Sequence, residues 1–155
     1  MSKRHLLGAA AVVTALAAQT ASAAGDPVAA VKADLAKLQS DTASARATIV
    51  PAAQKVASDA AASMGSTRAQ AIATVKPDLV QLRNDLEAAR THLGPDRAQL
   101  KTDLAAAKGV SGAQEQLQPV VKSTRAALKA DRTAIRNALK QARQAVKELR
   151  ASFKK

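Results

Sequence analysis

Apolar residues three and four positions apart recur along this chain, and the pattern is clearest from Pro119 to Lys155. This spacing fills the a and d positions of a heptad, on one face of a helix that must pack against a partner. In the last segment the face holds Val121, Leu128, Ile135, Leu139, Ala142, Val146, Leu149 and Phe153, interrupted by Arg125 and Arg132. Earlier faces are Val28, Val31, Leu35, Leu38, Thr42, Ala45, Ile49 and then Ile72, Val75, Leu79, Leu82, Leu86, Ala89, Leu93. The sequence therefore predicts long amphipathic helices.

Glycine and proline residues divide these helices. Asp26 and Pro27 are typical of a helix start, Gly65 of a helix end, and Gly109–Gly112 of a loop. The predicted helices are 27–64, kinked at Pro51; 67–108, kinked at Pro77 and Pro95; and 113–154. The Gly94-Pro95 pair predicts a break or sharp kink. Three rods of similar length predict an all-α, antiparallel (up-down-up) three-helix bundle of Ala-rich helices, a single domain over 25–155.

Charges beside the apolar faces leave a second fold open. Aspartates take the g positions at Asp34, Asp41, Asp78, Asp85, Asp96 and Asp103. Basic residues take the e positions at Lys32, Arg46, Lys76, Arg83, Arg90, Lys101 and Lys108. In parallel coiled coils, a g residue of one helix faces an e residue of its partner. In antiparallel pairs, g faces g and e faces e. The pattern favours a parallel neighbour, so the alternative fold is an elongated parallel coiled-coil oligomer formed by self-association.

The net charge of +12 is concentrated in the last predicted helix. From Pro119 onward there are eleven Lys and Arg residues against two acids, Asp131 and Glu148. A basic stripe of e and b positions runs beside the apolar face. The candidate anion-binding residues on it are Lys122, Lys129, Arg136, Lys140, Arg143, Lys147, Arg150 and Lys154.

Residues 1–24 have the three-part form of a secretory signal peptide. Lys3 and Arg4 precede an apolar run from Leu6 to Ala18, and the small residues Ala21-Ser22-Ala23 suit a signal peptidase. The run is shorter than the ~20 residues that a membrane-spanning helix needs. We therefore expect a protein that is periplasmic or secreted after cleavage.

Composition argues against an enzyme. Cysteine is absent, and His92 is the only histidine outside the predicted signal peptide, so thiol chemistry and a histidine metal cluster are excluded within one chain. His92, close to Gly94, is expected to cap the end of a helix. No phosphate-binding glycine loop or nucleophile motif is present. We expect no cofactor and no metal site.

The basic stripe predicts an exported binding or structural protein of the cell envelope. Its partners would be anionic polymers or headgroups: phospholipid, lipopolysaccharide, acidic polysaccharide or extracellular DNA. Sequence-specific nucleic-acid binding is not expected, because no aromatic stacking platform exists. Two alternatives remain. The stripe can serve solubility alone, or the apolar face can serve a structural or holdase-type chaperone, with Arg125 and Arg132 either reaching neighbouring aspartates or the rim, or marking an open groove.

Overall fold

The computed structural model describes residues 25–154, and these form an all-α protein. The helices are α1 (Pro27–Ala62), α2 (Arg68–Ala107) and α3 (Ala113–Ser152), packed against each other, and residues 25–154 contain no strand. The predicted signal peptide, residues 1–24, lies outside the described residues. Within residues 25–154, no helix has an apolar stretch of the length that crossing a bilayer requires.

The first two helices begin with local hydrogen bonds that the sequence encodes. Asp26 is the N-cap of α1, where its Oδ1 accepts from the Val28 N–H at 2.9 Å, and Pro27 occupies the first helical turn, as predicted. Thr67 and Gln70 form a reciprocal capping box that opens α2. Gly65 takes a φ of +87° in the turn between them, a conformation that favours glycine.

The helices continue through their internal prolines. Proline removes one backbone donor and leaves the carbonyl four residues earlier without its helical partner. Pro51, Pro77 and Pro95 are all exposed. The carbonyls that they free belong to Ala47, Ala73 and Thr91, which are also exposed. Water can therefore hydrate these carbonyls. Of the two alternatives predicted at Gly94-Pro95, the break is wrong, because α2 remains helical there.

Helix α1 is the centre of the bundle. It packs along both α2 and α3, whereas the backbones of α2 and α3 make few contacts with each other. The apolar face predicted for its first part is buried at every position: Val28, Val31, Leu35, Leu38, Thr42, Ala45 and Ile49. Beyond Pro51 the buried line continues through Ala53, Val56 and Ala60, all fully inaccessible. This predicted face of α1 is confirmed.

The outer helices bury only one flank of their predicted apolar faces. In α2, Val75 and Leu82 are buried, but Ile72 and Leu79 remain 51% and 38% exposed. In α3 the predicted positions Val121, Leu128, Ile135 and Val146 are half-buried, and a neighbouring line is buried instead. That line is Leu117, Thr124, Asp131 and Ala138. Each outer helix is therefore turned toward α1, and its second apolar line faces the space between α2 and α3.

The buried interior is two apolar clusters with a polar layer between them. One cluster joins Ile49 and Val56 of α1 to the first half of α2 and the second half of α3. The other joins Val28, Val31 and Leu35 to the end of α2 and the start of α3. Four buried polar residues lie between the clusters along their helices: Thr42, Asp96, Thr124 and Asp131. The layer divides the core.

The two apolar lines of α2 should differ in their contribution to stability. We expect Leu82→Ala to lower the free energy of unfolding by about 2–5 kcal/mol, because it removes a buried side chain and leaves a cavity. Leu79→Ala should lower it by less than half as much, because Leu79 borders open space. Urea unfolding followed by circular dichroism measures both. Equal losses would contradict the orientation of α2.

Candidate functional site

The predicted basic stripe lies on the surface of α3. All eight candidate side chains, from Lys122 to Lys154, are exposed. None of the eight belongs to an ion pair with any residue of 25–154. The face of α3 beside the stripe is apolar, so the unpaired cations border hydrocarbon on one side and water on the other.

The structure brings all eight residues to the edges of open pockets. Lys122 and Lys129 line a pocket of about 880 Å³ near the start of α3. Arg136 and Lys140 line a second, of about 620 Å³, on α3 itself. Arg143, Lys147, Arg150 and Lys154 line a third, of about 560 Å³, between α2 and α3. No Asp or Glu lines these three pockets.

Sequence reasoning missed the part of this surface that α2 contributes. Arg68 and Lys76 line a pocket together with Arg150 and Lys154, and Lys108 lines the pocket that holds Lys122. Basic residues on α2 had been assigned only to the e positions of a coiled coil. The sequence does contain one indication of this surface, because Ile72, Lys76 and Leu79 are spaced four and three residues apart and so lie along one side of α2. Which helix this side faces depends on the tertiary arrangement.

The cations of α3 are unpaired because α1 takes up the interior acids. Every ion pair within residues 25–154 uses a cation of α1. Arg46 reaches across to Asp131, the buried acid of α3, at 3.1 Å. Two further acids of α3 are Glu115, in its first turn, and Glu148, which accepts a hydrogen bond from Gln144 at 2.7 Å. Helix α3 is left with an uncompensated positive surface.

Aspartates of α1 and α2 face one another, and lysines of α1 separate the charges. Lys37 donates to Asp41 at 3.0 Å and also to Asp96 of α2. Lys55 likewise donates to Asp59 at 2.6 Å and to Asp78 at 2.8 Å. The lysine hydrogen bonds lower the pKa of Asp96 and of Asp59. Asp41 and Asp96, both at predicted g positions, therefore share one lysine.

A third pair of facing aspartates has no lysine between its members. Asp34 of α1 faces Asp103 of α2, and the position equivalent to Lys37 and Lys55, four residues earlier, is Ala30. Burial raises the pKa of Asp34 to about 6, and a hydrogen bond to Asp103 and its negative charge add to the effect. Asp34 Oδ2 has no hydrogen-bond partner. This pair is a local electrostatic cost at neutral pH.

Two other predictions from the sequence are now resolved. His92 does not cap a helix end, because α2 continues to Ala107 and His92 lies exposed within it. Arg125 and Arg132 form no ion pair with any residue of 25–154, so they do not reach the aspartates of neighbouring helices. Both are exposed, and each lines a pocket on α3.

Comparison with known proteins adds no functional assignment. No protein-family model matches the chain, and no curated protein or solved structure is significantly similar to it. Among residues 25–154, no three His, Asp or Glu side chains are grouped so that they could hold a metal ion. The candidate site is therefore defined by its own geometry: unpaired cations on α3 beside apolar pockets.

The Asp34–Asp103 pair predicts a specific pH dependence of stability. The pKa of Asp34 is raised above its ordinary 3.8, so the folded state binds this proton more tightly than the unfolded state. The contribution of Asp34 therefore makes the free energy of unfolding fall as pH rises from about 4 to about 6. Asp34→Asn should remove this fall, measured by urea unfolding across that range.

A lysine at position 30 should repair the same pair. We expect Ala30→Lys to raise the free energy of unfolding at pH 7.5 by about 0.2–1 kcal/mol, the usual worth of an exposed ion pair. The gain should become smaller as the pH is lowered and Asp34 takes up its proton. Ala33→Lys, which adds the same charge at an exposed position of α1, is the control. Equal effects of the two lysines would refute a specific role for position 30.

Proposed function

We propose that this protein is a non-enzymatic binding or structural protein of the cell envelope, and that α3 binds anionic polymers or lipid headgroups. One observation carries the proposal. The eight basic residues of α3 are exposed and unpaired within residues 25–154, although Lys37, Arg46 and Lys55 of α1 are paired with carboxylates. A polyanion that contacts this stripe gains affinity through the release of its counterions. The expected partners are phospholipid or lipopolysaccharide headgroups, acidic polysaccharide and extracellular DNA.

The proposal includes an up-down-up order of the helices, which presents α3 at one side of α1. Lys37 pairs with Asp96 and Lys55 with Asp78, so the partner number falls along α2 as the residue number rises along α1. Arg46 pairs with Asp131, and the apolar clusters join early residues of α1 to early residues of α3. These pairings support antiparallel α1 and α2 with α3 parallel to α1.

Export is the second component of the proposal. Residues 1–24 have a basic start, an apolar run and small residues before position 24, as a cleavable signal peptide does. We propose that the mature protein begins after Ala23 or Ala24 and is periplasmic or secreted. Asp26, the N-cap of α1, would then be the second or third residue of the mature chain.

Charge-neutral substitution of the stripe tests the binding function. The variant replaces Lys129, Arg136, Arg143 and Arg150 with Gln; the control replaces Arg83, Arg90, Arg97 and Lys101 of α2, which are also exposed. Both remove one Lys and three Arg. With duplex DNA as the polyanion, the slope of log K against log salt should fall by about 0.9 per lost phosphate contact. The slope for the control variant should fall by less than half as much.

Two results would contradict the function. One is release of heparin, duplex DNA and anionic phospholipid vesicles all below physiological ionic strength. The other is equal weakening by the α2 and α3 substitutions, which would show that net charge alone attracts the polyanion. Cosedimentation with vesicles and fluorescence anisotropy with labelled DNA measure the two kinds of partner separately.

A holdase-type envelope chaperone is the second candidate function. The observation in its favour is the exposed apolar line of α2, where Ile72 and Leu79 are open to solvent beside half-buried Val146 of α3. A client bound there would be held by apolar contact, so protection should be insensitive to salt. Light scattering of an unrelated aggregating client measures it. Absence of suppression at an equimolar amount of this protein would remove the candidate.

A further inference from the structure

A groove runs between α2 and α3 because both helices pack on α1 and hardly on each other. Its α2 wall is the line Ile72, Leu79 and Leu86, and its α3 wall is Leu139, Val146 and Phe153. Its base is formed by buried residues of the larger apolar cluster, including Leu82, Ala142 and Leu149. The walls are half-buried or exposed, so they keep apolar surface available for a ligand.

The groove has the size of a small-molecule site. Two pockets of about 530 and 560 Å³ make it up, and they share Leu79, Val146, Arg150 and Lys154, so they are continuous. Pockets that bind small ligands commonly measure about 300–1,000 Å³ and are mostly apolar, with a few polar groups that orient the ligand. This groove has the apolar walls, and the polar side chains that line it are all Lys and Arg residues of the rim.

The rim carries charge of one sign. Arg68 and Lys76 lie on the α2 side. Arg143, Lys147, Arg150 and Lys154 lie on the α3 side. No Asp or Glu lines either pocket, and none of these six cations is in an ion pair within residues 25–154. A ligand that satisfies both surfaces must be apolar along its length and anionic at its end.

We propose that the α2–α3 groove binds a single-chain anionic amphiphile, with the alkyl chain along the apolar walls and the phosphate or carboxylate head among Arg68, Arg150 and Lys154. This inference rests on the proposed anion-binding function, because α3 supplies cations to both. A second copy of this chain is a poorer occupant, since its own +12 charge would oppose the basic rim. A neutral hydrocarbon would leave the rim cations unused.

Alkyl phosphates of increasing length are the probe. Titration calorimetry of the full chain would compare octyl, decyl and dodecyl phosphate below their micelle concentrations, with inorganic phosphate and dodecyl maltoside as head-only and uncharged references. Each methylene buried against the walls should tighten binding by up to about fourfold. We therefore expect dodecyl phosphate to bind at least tenfold more tightly than octyl phosphate, and both references to bind weakly.

Matched variants locate the site. Leu79→Gln in the groove should weaken dodecyl phosphate binding at least fivefold, whereas Val80→Gln should not. Val80 is the next residue of α2, is 50% exposed and does not line the groove. Heparin affinity should be unchanged in both variants, because both keep all eight cations of the basic stripe. If Leu79→Gln perturbs the circular dichroism spectrum, Ile72→Gln, at a more exposed position of the same wall, replaces it.

The outcomes separate the two proposals. Equal affinity of octyl and dodecyl phosphate, or equal binding by the Leu79 and Val80 variants, overturns the groove site and leaves polyanion binding by α3 standing. Groove-dependent alkyl phosphate binding without heparin or vesicle binding supports the groove and overturns the polyanion function. An acidic amphipathic helical peptide that displaces dodecyl phosphate and binds more tightly than any alkyl phosphate overturns the choice of occupant.

Discussion

Burial of α1 on two sides is the constraint on which the rest of this structure depends. The chain has one phenylalanine and no tryptophan or tyrosine, so its core must be made of small aliphatic side chains. Alanines stand at the contact positions of all three helices, as at Ala53, Ala71 and Ala138, and they allow close approach of the backbones. Because α1 takes the close contacts with both neighbours, the larger side chains of α2 and α3 are left to meet across an incompletely filled space.

The same arrangement sorts the charges. The cations that form ion pairs are Lys37, Arg46 and Lys55 of α1, whose side chains are exposed. The two lysines each contact a carboxylate of α1 and one of α2, and Arg46 contacts the buried Asp131. Little acid remains for α3, whose basic residues therefore face water. Ion pairs at exposed positions contribute little to stability, so the pairing pattern is better understood as a device of register and surface charge than as the main source of folding energy.

Periodicity predicted the helices and the buried face of α1, because α2 and α3 cover both flanks of that face and its whole apolar stripe is buried. It was less successful for α2 and α3. A repeat of three and four residues defines a face but not which of its two flanks meets the neighbour, and here Ile72 and Val146 lie on the uncovered flank. The sequence also shows that each proline lacks a backbone N–H. Whether the helix continues through the proline depends on whether water reaches the carbonyl that loses its helical hydrogen bond. The basic residues of the site and the apolar face beside them were predictable, but the exposure of part of that face, as at Val146, was not.

The polar layer around Thr42 and Asp131 gives the bundle an internal seam of lower cohesion. Apolar clusters separated by polar side chains share few direct contacts, so they need not open together. One half contains the loop between α2 and α3 and the start of α1, and the other contains the turn at Gly65 and the end of α3. Local opening at one end of the bundle therefore need not disrupt the packing of the three helices at the other end.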